Sequence, residues 1–326
     1  MSRVCVITGG SGYIGRFFIR RFLAAGTFDV IYNYDIRPPT FEDPRVVYRD
    51  IDVRAPMQDA PPDVDPAASW VFNLAALCRE PGSTPREYFE TNVGGAENVC
   101  AFAEERGFRN LYFTSTMSSY GRMQEPTPES ALQCPETPYG ISKAIAEKIH
   151  LRWLDRGAGR RLVITRPAVI FGPEDRENVP RMIRALRRGY FVFSGDPKIV
   201  KAYGYIHGLV DSVDFVLARP ERCIVYNYAE RNCVPLREMA GTIQDFLGKR
   251  AVVLRVPAGL LLAVSHAVQF FAGKLGASNP IHPVRVRKVA YPTNLQPRYL
   301  LDHGFEFKYP LEKALAHWKA TAPHEW

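Results

Sequence analysis

The chain has 326 residues, of which 46% are hydrophobic and 23% charged, with a formal net charge of +8. That balance excludes disordered and fibrous classes, and the length suits one large domain or two interlocked ones around a full core. Its six cysteines, at 5, 78, 100, 134, 223 and 233, show no C-x-x-C spacing, so reduced thiols are expected and neither a zinc site nor a disulfide framework is.

From Met1 the sequence enters a strand-like apolar stretch without a charged leader or cleavage site, which makes a cytoplasmic location the expectation. The first half then alternates short β-branched runs with helical patterns. Residues 4–8 read as a strand, and 14–25 as a helix offering Phe17, Phe18, Ile19, Phe22 and Leu23 for burial. Further strands are predicted at 30–34, 46–48, 70–74, 110–113 and 162–165. Strand–helix–strand alternation implies parallel strands joined by crossover helices, hence an α/β fold with a doubly wound parallel sheet.

Beyond about Phe171 the pattern changes, and Pro173, Pro180, Gly189, Gly195 and Pro197 break the chain into short segments. We therefore expect a dinucleotide-binding Rossmann domain over 1–172 and a smaller α/β substrate-binding region over 173–326, with a strand at 223–229 rejoining the main sheet. The apolar stretch 256–272 is short for a membrane span and is interrupted by Ser265, His266 and Gln269. It predicts a core or domain-packing helix, with no stable membrane insertion. Contact with a membrane surface is the alternative, because Lys274 and a basic tail come next. Basic residues cluster at 181–188 and 285–288 without a nucleic-acid-binding motif, which favours a diphosphate ligand over nucleic acid. A solvated helix face is the competing reading for Arg184, Arg187 and Arg188.

Between the first strand and first helix lies Thr8-Gly9-Gly10-Ser11-Gly12-Tyr13-Ile14-Gly15. Gly9 permits a tight turn, Gly12 lets backbone approach a pyrophosphate, and Gly15 lets the helix pack closely on the strand. The helix N-terminus adds unpaired N–H groups and a positive dipole end. Asp35 comes 20 residues after Gly15, at the end of the second strand. A carboxylate there accepts from ribose hydroxyls and repels a 2′-phosphate, so NAD is expected; Arg37 nearby argues for tolerance of the phosphate.

Thr137-Pro138-Tyr139-Gly140-Ile141-Ser142-Lys143 reads as a helix start with Thr137 as N-cap, which puts Tyr139 and Lys143 on one face. A phenol with a pKa of about 10 is a poor base at neutral pH. A lysine ammonium one turn away, with an oxidised nicotinamide, lowers it.

Together with Asn73-Leu74-Ala75-Ala76, TNVGGAEN around Asn92, FTSTMSSYG, RPAVIFGP (166–173) and YIHGLVDSV (205–213), these motifs resemble the extended short-chain dehydrogenase/reductase family, in its sugar-nucleotide epimerase/dehydratase branch. The resemblance covers nearly the whole chain. It implies that Thr116 hydrogen-bonds the reacting oxygen beside Tyr139 and Lys143, with Ser118 a second polar contact. It places Asp50 and Ile51 at adenine, Tyr13, Ile14, Ala75 and Ala76 along the cofactor, Asn92 near the nicotinamide ribose and Pro167 at the carboxamide. Asn178 is implied to touch the substrate diphosphate. A homodimer is also implied, through the helix after Asn92 and the helix from Tyr139, with Ile141, Ile145, Ile149 and Trp153 as the candidate stripe.

Two departures shape the expected function. Met117 and Ser118 stand where 4,6-dehydratases of the family carry an Asp-Glu pair, so a simple oxidation and return, a 4-epimerisation of a nucleoside-diphosphate sugar, is preferred. An NAD(P)-dependent ketone reductase or alcohol dehydrogenase, or a dehydratase, is the alternative; a non-catalytic NAD-binding scaffold is the distant one. Tyr203 and Gly204 replace the arginine that clamps the diphosphate in many relatives, leaving Lys201 or the Arg285/Arg287 pair for that task and a lipid-linked sugar open as substrate. Tyr291 is read either as a stacking surface or as a core aromatic. The seven histidines lack metal-ligand spacing, and no metal is expected.

Overall fold

Strand β1 (Val4–Thr8) is buried along its whole length, as a strand covered by helices on both faces must be. Around it the computed structural model, which describes residues 1–79, 82–175, 177–275, 286 and 291–326, builds a sheet of seven parallel strands. The others are β2 (Val30–Asp35), β3 (Val46–Asp50), β4 (Trp70–Asn73), β5 (Asn110–Thr114), β7 (Arg161–Pro167) and β11 (Cys223–Tyr228), and the order across the sheet is β3-β2-β1-β4-β5-β7-β11. Strand order reverses between β1 and β4, which opens a crevice at the carboxyl ends of these two strands. The predicted strands all appear within a few residues of their expected limits.

Helices cover both faces. On one, α1 (Tyr13–Ala25) and α6 (Ile206–Leu217) bury Phe17, Phe18, Phe22, Leu209 and Val213 against Phe72 and Tyr112. On the other, α3 (Gly95–Glu105) and α4 (Pro138–Asp155) bury Val99, Phe102, Trp153 and Leu154 against Val71, Leu111 and Ile164. A short α2 (Pro85–Phe89), closed by a capping box at Thr84, runs through a π-helical turn at Glu90–Gly94 into α3.

The remaining strands form parallel two-stranded ribbons. These are β8 (Val169–Phe171) with β10 (Tyr203–Tyr205), β9 (Tyr190–Ser194) with β12 (Val252–Val256), and β6 (Met123–Thr127) with β13 (Thr293–Leu295). They are accompanied by α5 (Asn178–Arg187), α7 (Leu236–Leu247), α8 (Ala258–Leu275), α9 (Arg298–Asp302) and α10 (Leu311–Thr321).

Two expectations are corrected. The 256–272 stretch forms α8, but not as a core helix: Leu260 and Val264 are 57% and 43% exposed, and among its described side chains the one completely buried is Ser265, whose hydroxyl donates to the Leu262 carbonyl. The stripe on α4 is also broken, because Trp153 turns inward to 2% exposure with the Arg160 guanidinium over its ring, while Ile145 stays at the surface.

Phe72 stacks on Tyr112 at 4.9 Å and is enclosed by Phe18, Phe22 and Phe28. Phe72→Ala leaves a cavity in an aromatic cluster that cannot collapse, and should lower stability by about 3–5 kcal/mol in urea unfolding.

Candidate active site

A cleft of about 2950 Å³ runs over the carboxyl ends of the strands, larger than one small ligand requires. At its base is the loop between β1 and α1. Gly9 adopts φ +76°, and a Cβ there would lie 2.6 Å from the Ala75 amide nitrogen, so the turn accepts no side chain. Gly15 would meet Gly10 at the same distance, which fixes the close approach of helix to loop. No side chain caps the N-terminus of α1 and its first turn holds no acid, so the first N–H groups of the helix are left for an anion.

Buried Asp35 closes the far side. Its Oδ2 accepts from the Ser11 amide at 3.0 Å and its Oδ1 from the Arg37 amide at 2.9 Å, which ties the end of β2 to the glycine loop. Asn33 adds a link that sequence reading missed, its Nδ2 donating to Ser11 Oγ at 3.1 Å. The available signal was a polar residue inside an apolar buried strand. The uncapped helix, the side-chain-free turn and the buried carboxylate together suit a dinucleotide.

Helix α4 brings the second set of groups. Thr137 caps it, with Oγ1 accepting from the Gly140 amide at 3.1 Å, and Pro138 occupies the first turn. Tyr139 and Lys143 both line the cleft. The Lys143 ammonium sits 4.1 Å over the Phe113 ring, and its complete burial lowers its pKa from 10.5 to about 7. The loop after β5 presses on the same turn, since a Cβ at Gly140 would fall 2.5 Å from the Ser118 carbonyl oxygen. Thr116 in this loop is buried, and its Oγ1 accepts from the Ser118 amide at 3.1 Å, leaving the hydroxyl proton to donate.

Behind the cleft, α4 is stapled to the sheet through polar contacts. His150 stacks on Phe113, shares a hydrogen bond with Asn73 at 3.2 Å and contacts the Ala146 carbonyl at 2.7 Å. Burial lowers its pKa to about 3, so the ring is neutral and donates to Ala146 while accepting from Asn73. Asn73 in turn accepts from Thr8 at the end of β1. Glu147 is clasped by Arg166 at 2.7 Å and receives donors from Gln133 and Ser115.

Of the residues singled out in the sequence, the cleft gathers Gly9, Gly12, Tyr13, Ile14, Gly15, Asp35, Arg37, Ile51, Ala75, Ala76, Thr116, Ser118, Tyr139, Lys143, Pro167 and Asn178. Asp50, exposed at the end of the edge strand, lies outside its wall. So does Asn92, whose side chain is engaged with both Leu77 backbone groups and with Ser142 Oγ. Arg285 and Arg287 lie outside the described residues. The arginine missing before the 205–213 segment has a steric explanation: a Cβ at Gly204 would fall 2.5 Å from the Tyr228 ring. Lys201 lines the cleft nearby and donates to the Tyr291 carbonyl, while the Tyr291 ring lies under the Arg122 guanidinium at 4.3 Å. The basic cluster divides, with Arg181 and Arg184 facing the cleft and Arg187 and Arg188 turned away from it.

An NAD-dependent hydride-transfer enzyme on a doubly wound sheet is the class this geometry defines. Comparison with known proteins narrows it. Residues 5–229 match the NAD dependent epimerase/dehydratase family, and the chain belongs to that family. It is 28% identical over 247 residues, 75% of each chain, to N-acetyl-alpha-D-glucosaminyl-diphospho-ditrans,octacis-undecaprenol 4-epimerase of Escherichia coli O157:H7. It is 31% identical to UDP-glucose 4-epimerase of Lacticaseibacillus casei, over 49% of each chain. The fold resembles DesIV, a dTDP-glucose 4,6-dehydratase of Streptomyces venezuelae solved with NAD bound, at a TM-score of 0.74 and 21% identity over 99% of this chain and 98% of that one.

The buried lysine generates a stability prediction. Its folded pKa of about 7 lies below the unfolded value of 10.5, so between these values the unfolded chain holds a proton that the folded one lacks. Stability contributed by this site therefore rises with pH through that window, and the full penalty is present below it. Lys143→Met should be about 2–4 kcal/mol more stable than the parent near pH 7 in urea unfolding without added nucleotide, and the gap should close near pH 10.

Proposed function

We propose that the protein is an NAD-retaining 4-epimerase acting on a sugar carried by a diphosphate. The observation that carries this reading is the packing of the 116–118 loop on the first turn of α4, where a Cβ at Gly140 would fall 2.5 Å from the Ser118 carbonyl oxygen; Thr116, Tyr139 and Lys143 line one cleft, and the loop holds no carboxylate. Glu136, an acid on that wall, is paired with Arg122 at 3.0 Å. Elimination of water requires an acid and a base to move further protons; oxidation and return at one carbon does not.

In this reading Tyr139 accepts the proton of the sugar hydroxyl and later gives it back, and Thr116 holds the same oxygen through its free proton. Lys143 stabilises the phenolate from the next turn, and its desolvation strengthens that field. Bound NAD supplies a hydride acceptor that becomes the donor for the opposite face of the keto sugar. Gly9, Gly12, Tyr13, Ile14 and Gly15 hold the cofactor at its pyrophosphate, Asp35 at its ribose, and Ile51, Ala75, Ala76 and Pro167 along its length. Asn92 acts from behind, fixing Leu77 and Ser142. Ser118, Asn178, Arg184 and Lys201 receive the sugar and its diphosphate.

The carrier is a nucleoside, as in the Lacticaseibacillus casei relative's name, or a polyprenol, as in that of the Escherichia coli relative. The enzyme is read as a cytoplasmic homodimer joined through α3 and α4.

Tyr139→Phe should lower epimerisation by about 100-fold or more and leave NAD bound after purification. The check is denaturing release of nucleotide, then conversion of UDP- and polyprenyl-diphosphate sugars without added cofactor. Turnover that appears only with external dinucleotide, with a change in nicotinamide absorbance, would replace the epimerase with a one-way dehydrogenase.

A further inference from the structure

We propose that the outer face of the β9–β12 ribbon, together with the exposed side of α8, docks on an anionic lipid bilayer. In the parallel register Tyr190 pairs with Val252 and Val192 with Leu254, so all four side chains share one face. Ribbon faces turned to water carry polar residues; these four are 54%, 65%, 42% and 56% exposed. Leu260 and Val264 come next, one turn apart on α8, which starts two residues beyond β12. A single exposed leucine means little, but a paired set on one ribbon continued by a helix is an interaction patch.

Charge identifies the occupant. Between Asp245 and Val256 the sequence holds no acidic residue and three basic ones, and between Glu177 and Asp196 none and four. Because the ribbon is parallel, exposed Arg187 and Arg188 before β9 and Lys249 and Arg250 before β12 meet at the same end, where Lys249 Nζ donates to the Arg187 carbonyl at 2.7 Å. Arg250 is paired with Asp245, but among the described residues no carboxylate pairs with Arg187 or Arg188. Lipid phosphates neutralise such a rim, worth about 1 kcal/mol per cation near the surface. A second copy of this chain would instead oppose like charges across the contact. The mode is surface attachment, since among the described residues no helix is long and apolar enough to cross a membrane.

Val192 belongs to the patch and also lines the cleft, so docking turns one end of the cleft toward the bilayer. Only that consequence, delivery of a polyprenyl-diphosphate sugar from the membrane, rests on the epimerase reading.

The test is co-sedimentation of the full chain with vesicles of phosphatidylcholine alone and of phosphatidylcholine mixed with phosphatidylglycerol. Binding to the anionic vesicles, reversed by high salt, is expected. Leu254→Asp combined with Leu260→Asp should reduce it about ten-fold or more, and Arg187→Glu and Arg188→Glu about five-fold each. NAD content and turnover of a soluble UDP-sugar, unchanged in all variants, report intact folding; where the apolar variant loses NAD, the charge variants decide. Absent vesicle binding with normal NAD content overturns the docking surface and leaves the function standing. Binding that none of the variants alters overturns the assigned face. A dimer abolished by the apolar variant, without vesicle binding, makes a second copy the occupant and overturns the lipid. Vesicle binding without epimerisation of any sugar supports the docking surface and sinks the function instead.

Discussion

A lysine ammonium held out of water on α4 is the constraint around which the rest of the site is arranged. Burying a charge costs several kcal/mol unless its surroundings compensate, and α4 buries Ser142, Glu147 and His150 on the same helix. Each of these needs a partner, and the partners come from different crossovers of the sheet. Asn92 meets Ser142, Asn73 meets His150, and Arg166 with Ser115 and Gln133 meets Glu147. The short motifs scattered along the chain, from Asn73 to Arg166, thus converge on one helix whose polar face would otherwise be too costly to bury. Lys143 itself stays poorly compensated, facing an aromatic ring, and burial holds its pKa down at about 7.

The legible parts of the site are those whose geometry is local. Gly9, Gly12 and Gly15 work through spacing within one turn, Asp35 through its place at the end of the next strand, and Tyr139 and Lys143 through a single helical turn; a pattern of residue types is enough for all of them. The staples are separated by 77 residues for Asn73 and His150 and by 19 for Glu147 and Arg166, and no periodicity reports a partner at such range. For the same reason the resemblance places Asn92 at the cofactor, whereas its side chain is engaged by Leu77 and Ser142.

The strand positions and the helices at 14–25 and from Tyr139 were readable because alternation of apolar runs dictates crossovers. Exposure was not. The 256–272 stretch is apolar enough for a core, yet Leu260 and Val264 face outward, because a helix leaving a two-stranded ribbon has no second sheet face to cover it. Likewise Arg184 and Arg187 are neighbours on α5 with equal claims in the sequence, and only the direction of the helix across the cleft separates them.

The two sides of the cleft are built on different supports. One rests on seven paired strands and on the buried contacts of Asn73 and Glu147 with their partners. The other rests on two-stranded ribbons and on the exposed α8. Phe191 and Phe193 of the ribbon line the cleft, Tyr190, Val252 and Leu254 do not, and Val192 belongs to both surfaces. Phe193, buried toward the cleft, and Leu254, exposed on the partner strand, stand on opposite sides of that division. Polar contacts thus tie α4 to the main sheet, whereas another wall of the cleft is carried by a two-stranded ribbon.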